Sequence, residues 1–199
     1  MKKLVLSLLT VLSLSGFAQS FSTGNSNFSA GYGIGNFMQS VFKTYQTYDD
    51  FTFKAMGPMF FKYENALSDR LGIGINIAYA NASVSYLDKG HIVDTTSMTY
   101  YKQTIKWSTY SVLARLNFHF ANSEKFDPYW GFGVGYRGAT WKYEDNDPNY
   151  DNDAEVSNFF PLGLELTVGA RYYFTPAIGA YSEVGLAKAI VQFGLTANF

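Results

Sequence analysis

The sequence contains no cysteine, few charged residues and, beyond its first residues, no long hydrophobic run. Without thiols the chain can form neither disulfides nor thiolate metal sites. The N-terminal apolar run, Leu4 to Leu14, is shorter than the roughly 20 residues that a helix needs to cross a bilayer. Charged residues make up 16% of the chain with no basic excess, which argues against a nucleic-acid partner.

The start of the chain has the features of a cleaved export signal. Two lysines precede the apolar run, and small residues ending at Ala18 follow it, so that Gln19 becomes the new N-terminus. We therefore predict a signal peptide over residues 1–18, a short lead over residues 19–27 and one folded domain over residues 28–199.

Aromatic residues, in contrast, are abundant. With 16 tyrosines and 18 phenylalanines they reach 19% of the chain, whereas the mean hydropathy is only −0.07. High aromatic content with average hydropathy is typical of a membrane β-barrel, in which only alternate residues face lipid.

Period-two alternation of apolar with small or polar residues predicts eight strands. The alternating segments are 28–35, 53–64, 71–79, 110–120, 130–137, 162–174, 177–187 and 191–199. Short turns alternate with long connections along the chain, except for a very short last connection near Lys188. The short turns are 65–70, 121–127 and 175–176, and the long connections are 37–52, 87–101 and 144–158. This organisation predicts an all-β fold, an eight-stranded antiparallel transmembrane β-barrel with both termini in the periplasm.

A soluble β-sandwich or lipocalin-like barrel would also show alternation. Its polar face would meet water and carry many lysines and glutamates, whereas here that face is mostly Gly, Ala, Ser, Thr and Asn. Aromatic residues also mark the ends of the apolar face, as Tyr110 and Phe120 do, which indicates two membrane interfaces. The pattern favours a barrel that faces lipid.

The last segment, Val191 to Phe199, resembles the C-terminal signal of Gram-negative outer-membrane proteins, a strand of alternating apolar residues that ends in an aromatic. The residues that carry it are Phe193, Leu195, Ala197 and Phe199. Together with the glycine-rich strands, the mature chain resembles small OmpA- and OmpX-like barrels. The resemblance implies the outer membrane as location, the barrel-assembly machinery as a partner during biogenesis, and no peptidoglycan-binding domain.

Charged residues on the polar face are expected to point into the barrel. An eight-stranded barrel is only wide enough for side chains to fill it, so these charges must pair. We predict a structural ion-pair network of Arg115, Arg137, Glu165, Arg171 and Glu183. Equal spacing from the ends of one long connection further predicts that Arg137 and Glu165 pair. The alternative is a gated conductance pathway along the same charges.

Three other patterns are weak candidates for a site. Residues 133–138 match the G-x-G-x-x-G pattern, but a strand follows them instead of the helix that a dinucleotide site needs. The acidic segment 144–155 could bind calcium or bridge to lipopolysaccharide through divalent cations, although it lacks the EF-hand glycine and glutamate. A lipid-modifying enzyme would need His91 or His119 beside a nucleophile. We expect no enzyme, no cofactor and no metal.

The first long connection mixes aromatic and polar residues over 41–51. Its aromatics are either a contact surface for a partner or strand extensions that pack on each other, and the sequence leaves both open. The function that we expect is a structural or surface-interaction barrel with a polar, plugged interior, in contact with outer-membrane lipid and lipopolysaccharide. The alternatives are a narrow channel or small-ligand transporter, a lipid-modifying enzyme, and a small subunit of an envelope machine.

Overall fold

A computed structural model describes residues 20–35, 41–42, 48–89, 100–120, 123–148, 154–157 and 160–199. Within these ranges the chain forms nine β-strands, which are β1 (Ser26–Ile34), β2 (Asp49–Ser68), β3 (Leu71–Lys89), β4 (Tyr100–His119), β5 (Phe126–Asp145), β6 (Ala154–Ser157), β7 (Leu162–Tyr173), β8 (Ile178–Leu186) and β9 (Val191–Asn198). No helix in these ranges is long and apolar enough to cross a membrane.

The strands close into an antiparallel barrel. Apart from the short β6, each strand pairs with the strands next to it along the chain, so that β5 pairs with β7, and β1 also pairs with β9, with Asn27 opposite Asn198. The short β6 pairs with the far end of β5 and continues the line of β7 along the same neighbour, so eight strands make the closed wall. The predicted eight-stranded antiparallel barrel is confirmed.

The wall has two different heights. β2 to β5 have 19 or 20 residues each, whereas β1, β7, β8 and β9 have 8 to 12. We call the closed part, next to the short turns, the lower barrel. Beyond the lower barrel, β2 to β5 extend over residues 49–56, 80–89, 100–109 and 139–145. We call these extensions, together with β6, the upper sheet. These extensions occupy parts of the predicted connections 37–52, 87–101 and 144–158. At the other end, β2 continues to Ser68, so that only residues 69–70 of the predicted turn 65–70 lie between β2 and β3.

In the lower barrel the apolar residues face outward and the polar ones inward. The exposed outward side chains form a belt that includes Phe28, Phe61, Ile73, Ile75, Ile77, Val112, Leu116, Phe132, Val134, Leu164, Leu166 and Leu195. Exposed tyrosines lie along the upper edge of this belt, and they are Tyr32, Tyr79, Tyr110 and Tyr136. We call these four residues the tyrosine ring.

In the upper sheet the polarity of the two faces is reversed. The inner face is apolar and buried, with Ala80, Ala82, Val84, Tyr86 and Trp107 packed together with Phe42 from the first long connection. The outer face carries two cross-strand rows of polar residues above the tyrosine ring. The first row is Asn81, Ser108 and Thr140, and the second is Lys54, Ser83, Lys106 and Lys142. The upper sheet is therefore built like a soluble protein and the lower barrel like a membrane protein.

Candidate functional site in the barrel interior

The interior of the lower barrel holds two groups of charged side chains at inward-facing strand positions. The central cluster consists of Lys62, Arg115, Glu165 and Glu183, which come from four different strands. The terminal cluster, nearer the short turns, consists of Glu64, His119, Asp127 and Arg171. All eight residues are buried. Alternation places them inward because each occupies the polar phase of its strand.

Glu183 and Arg115 organise the central cluster. The Glu183 carboxylate lies 2.8 Å from Lys62 Nζ and 3.0 Å from the Arg115 guanidinium. Arg115 also pairs with Glu165, whose second oxygen accepts a hydrogen bond of 2.7 Å from the Asn76 amide. Two cations and two anions thus neutralise each other within one layer of the lumen.

The terminal cluster is arranged around His119. One imidazole nitrogen of His119 lies 2.5 Å from the Asp127 carboxylate and the other lies 2.9 Å from Glu64. Arg171 pairs with Glu64 and lies 3.2 Å from Asp127. The same two carboxylates therefore hold both basic groups in place.

A tyrosine and a phenylalanine complete the filling of the lower barrel. The Tyr129 hydroxyl donates to Glu183 at 2.7 Å, and its ring lies 4.6 Å from the Arg171 guanidinium, so it joins the two clusters. Phe21, from the lead before β1, is fully buried and stacks on His119 at 3.5 Å between ring centres. The lead therefore covers the terminal cluster at the short-turn end.

The structure brings together four of the five predicted network residues, Arg115, Glu165, Arg171 and Glu183. The predicted pairing of Arg137 with Glu165 is wrong. In the β5–β7 register Glu165 lies opposite Gly133, and the Arg137 amide instead donates to the carbonyl of Pro161. The two residues are thus offset by four positions. The Arg137 guanidinium donates to the carbonyl oxygen of Leu164 at 3.2 Å.

The predicted network did not include Lys62, Glu64, His119 or Asp127. Among these, Asp127 is the one that the sequence analysis placed outside a strand. It was assigned to a short turn over 121–127, whereas β5 begins at Phe126. Its position two residues before Tyr129 continues the inward phase of the strand, and that phase is the signal that could have identified it.

The C-terminal residues of the predicted assembly signal lie on the outer surface of β9. Phe193, Leu195 and Phe199 are exposed and Ala197 is partly exposed, all on the lipid-facing side of the barrel. Segment 133–138, with its glycine pattern, lies within β5. His91 and residues 149–153 of the acidic segment lie outside the described residues.

The structure partly decides between the two interpretations of the first long connection, a contact surface for a partner or strand extensions that pack on each other. Phe51 and Phe53 belong to β2 and pack against Phe42 in the upper interior, where the rings of Phe42 and Phe53 lie 6.0 Å apart. For Phe51 the prediction of a packed strand extension is confirmed, whereas Phe53 already belonged to the predicted strand 53–64. Residues 43–47 of the same connection lie outside the described ranges.

Comparison with known proteins agrees with this architecture. The family described as Outer membrane protein beta-barrel domain matches residues 4–195. Among solved structures, the N-terminal barrel domain of Pseudomonas aeruginosa OprF is 14% identical, with a TM-score of 0.42, and the match covers 89% of this chain and 99% of that one.

Two further solved structures are similar to the chain. Ail of Yersinia pestis, in complex with the heparin analogue sucrose octasulfate, is 15% identical with a TM-score of 0.46, covering 89% of this chain and 99% of that one. OprG of Pseudomonas aeruginosa is 13% identical with a TM-score of 0.48, covering 90% and 97%. Among proteins of curated function, none matches the chain in sequence.

Proposed function

We propose, from the premise that this chain belongs to the outer membrane protein beta-barrel domain family, that it is a structural and surface-interaction barrel whose lumen does not conduct ions. The observation that carries the proposal is the central cluster. Its four charged side chains come from β2, β4, β7 and β8, and they meet inside the lumen at ion-pair distances.

The packing around the central cluster supports a permanently filled lumen. Arg115 also donates to Asn117 at 2.7 Å and to Thr167 at 2.8 Å, and Lys62 donates to Gln192 at 2.7 Å. Moving any one of these side chains aside would leave buried charges without partners, which is costly. A conducting state would therefore have to break several ion pairs at once.

Planar-bilayer recording of the purified protein tests this proposal. We expect no steady open current from the native chain, because the charged layers occupy the lumen. The substitutions Arg115→Ala and Glu183→Ala in the central cluster, combined with Phe21→Ala and Arg171→Ala at the terminal cluster, open both charged layers, and we expect the combination to produce measurable current. The matched control is Lys106→Ala with Glu144→Ala, an ion pair on the outer face of the upper sheet. Steady open currents from the native chain would refute the plugged lumen.

The second candidate function is a narrow channel or small-ligand transporter. A transporter would show substrate-dependent uptake into proteoliposomes even without steady current. The specific feature that favours a filled structural barrel over this alternative is the second charged layer, the terminal cluster, which Phe21 covers. A substrate would have to displace both layers and this ring.

Lipid and lipopolysaccharide are the partners that the outer surface fits. The apolar belt of the lower barrel ends at the tyrosine ring, and tyrosines favour the membrane interface. Lys54, Lys106 and Lys142 lie in the second polar row above the ring, at the height where lipid phosphates would lie. Lys106 and Lys142 already contact Glu144 and Glu155, so a phosphate would compete with these exposed pairs or join them through a divalent cation.

The barrel-assembly machinery is the partner that we propose for biogenesis. The alternating outward side chains of β9 and of Phe199, which follows it, supply the apolar segment that such a factor would bind. Binding of a peptide over residues 191–199 to the purified machinery tests this, with a peptide carrying Phe199→Ala as the control. Equal binding of the two peptides would remove Phe199 from the proposed signal.

A further inference from the structure

The short connection between β8 and β9, residues 187–190, places a lysine across the upper mouth of the lower barrel. Lys188 is only 9% exposed, and its ammonium group donates a hydrogen bond of 2.8 Å to the hydroxyl of Thr109 on β4. Thr109 in turn donates to the carbonyl oxygen of Gly138 on β5 at 2.7 Å. The Lys188 side chain therefore reaches from the short wall of the barrel to the tall wall, at the height where the upper sheet begins.

Lys188 is a buried cation that lacks a carboxylate partner in the described part of the chain. The described residues give it the Thr109 hydroxyl and no carboxylate at ion-pair distance. The carboxylate that acts on it from farther away is Glu165, which already pairs with Arg115 in the central cluster. A buried ammonium group without a counter-charge is costly, because its surroundings do not replace the hydration that it loses.

Arg137 adds a second positive charge beside Lys188. It immediately precedes Gly138 on β5, and its guanidinium is close enough to act electrostatically on the Lys188 ammonium. In the β4–β5 register Arg137 lies opposite the buried Ser111, which is the next inward residue below Thr109 along β4. Two cationic side chains and two hydroxyl groups thus share one level of the interior.

An apolar layer separates this level from the central cluster. Along β4 the inward residues run from Arg115 through Leu113 to Ser111, and Leu113 is fully buried. A Cβ atom on Gly163 of β7 would lie 2.6 Å from the Leu113 side chain, so the leucine fills the space above Glu165, two residues farther along β7. The carboxylates of the central cluster are therefore held below the level of Lys188.

The surroundings of Lys188 oppose its positive charge. Lys188 lies in a connection beyond the strands that cross the membrane, and burial together with the Arg137 guanidinium lowers the pKa of Lys188 to about 7, against a smaller opposing effect of Glu165. Arg137 is partly exposed, so this level is not sealed from solvent. An anion from solvent would compensate both cations at once, because an opposite charge nearby favours the charged form of each.

We propose that Lys188 and Arg137 together bind a halide ion at the upper mouth of the lower barrel, beside the inward hydroxyl groups of β4. The Lys188 ammonium has further N–H donors beyond the one that Thr109 accepts. The narrow interior of an eight-stranded barrel favours a monoatomic anion over a bulky ligand. The halide site lies above both charged clusters and does not depend on whether the lumen conducts, so the two proposals fail separately.

Chloride binding to the purified protein in detergent micelles tests the halide site. Exchange with a bound state broadens the NMR signal of chloride, and sodium gluconate, whose anion is too large for the site, keeps the ionic strength constant. We expect saturable broadening from the native chain, which bromide removes by competition and gluconate does not. No saturable broadening, or equal competition by bromide and gluconate, would overturn the proposal.

Two matched substitutions connect the broadening with the proposed site. We expect Lys188→Gln to abolish the saturable broadening, because it removes the buried ammonium group. Lys125→Gln removes an exposed lysine at the short-turn end of the barrel and should leave the broadening unchanged. Should Lys188→Gln fail to fold, Arg137→Gln replaces it, with weaker chloride binding expected. Native broadening in a folded variant of either residue would overturn the halide site.

The pH dependence supplies a readout in the native chain itself. The halide needs the protonated form of Lys188, whose pKa is about 7, so we expect the apparent chloride affinity to fall about tenfold from about pH 6 to about pH 8. Arg137 stays charged over this range and does not contribute to the change. A chloride affinity that is constant from about pH 6 to about pH 8 would overturn the assignment of the anion to Lys188.

Discussion

The strands β2 to β5 run through both the lower barrel and the upper sheet, yet they bury opposite kinds of residue in the two regions. In the lower barrel Ile75 faces outward and Asn76 is buried, whereas farther along the same strand Val84 is buried and Ser85 faces outward. The backbone pairing of β3 with β4 is uninterrupted across this change. The difference teaches that the surrounding medium decides which face is apolar, and the sheet itself is indifferent to it.

The largest expected effect comes from breaking the interior of the lower barrel. Glu183→Gln leaves Lys62 and Arg115 with one anion between them, and loss of one partner of a buried pair costs about 3–5 kcal/mol. Glu144→Gln makes the same chemical change at an exposed pair of the upper sheet, where about 0–1 kcal/mol is expected. Equilibrium unfolding in urea from lipid vesicles measures both. Equal losses for the two variants would contradict the distinction between the regions.

A smaller effect is expected from placing the same charge on the outer face of each region. Ile75→Lys puts an ammonium group near the middle of the apolar belt on β3, where about 2–4 kcal/mol is expected for a lysine that faces lipid. Ser83→Lys lies on the same face of the same strand, in the lysine row above the tyrosine ring, and we expect less than about 1 kcal/mol. The free energies of unfolding of the two variants in vesicles compare them. A tolerated Ile75→Lys would mean that the belt does not meet lipid.

The smallest effect concerns lipopolysaccharide at the outer face of the upper sheet. A basic residue near an anionic membrane surface contributes about 1 kcal/mol, so Lys54→Gln should weaken binding about fivefold at low salt. Lys125→Gln removes an exposed lysine at the short-turn end and should leave the affinity unchanged. Titration of detergent-solubilised protein with lipopolysaccharide, repeated at high salt, measures both. An identical affinity for both variants and the native chain would exclude Lys54 from the contact.

The sequence was most informative where lipid constrains it. Apart from residues 53–56, the segments that were predicted as strands lie in the lower barrel, because a lipid-facing surface tolerates few exceptions to alternation. The same alternation placed four charged side chains inward, those of Arg115, Glu165, Arg171 and Glu183. Because the lumen of an eight-stranded barrel is narrow, these side chains had to contact other side chains inside it. These features follow from single strands and need no knowledge of the register between them.

The upper sheet was missed because its alternation changes phase. In β3 the apolar residues occupy odd positions up to Tyr79 and even positions from Ala80 onward, so the segment reads as the end of a strand followed by a polar connection. Recognising the inverted phase as a continued strand in water would have extended the prediction. In β2 the register shift between Met56 and Met59 hides the same change.

The pairing of Arg137 with Glu165 failed for a different reason. It assumed a connection symmetric about its midpoint, whereas the register places Arg137 beside Pro161 and Glu165 beside Gly133. Shifting one strand past its neighbour by any even number of residues, such as the four observed here, keeps both side chains inward and preserves every alternation pattern. Partner choice inside the lumen therefore depends on strand stagger, which the period of one strand does not encode.

The pairing of β1 with β9 has a consequence for how the protein is made. Asn27 and Asn198 are neighbours in the wall although 171 positions separate them in the chain. Contacts between such distant segments form slowly, because the entropic cost of closing a long loop must be met before the contacts can stabilise the fold. Until β9 pairs with β1, the sheet has two unpaired edge strands, and unpaired edges can pair with other chains. The same closure of the barrel that stabilises the finished protein therefore means that the unfinished chain must be protected from pairing with other chains.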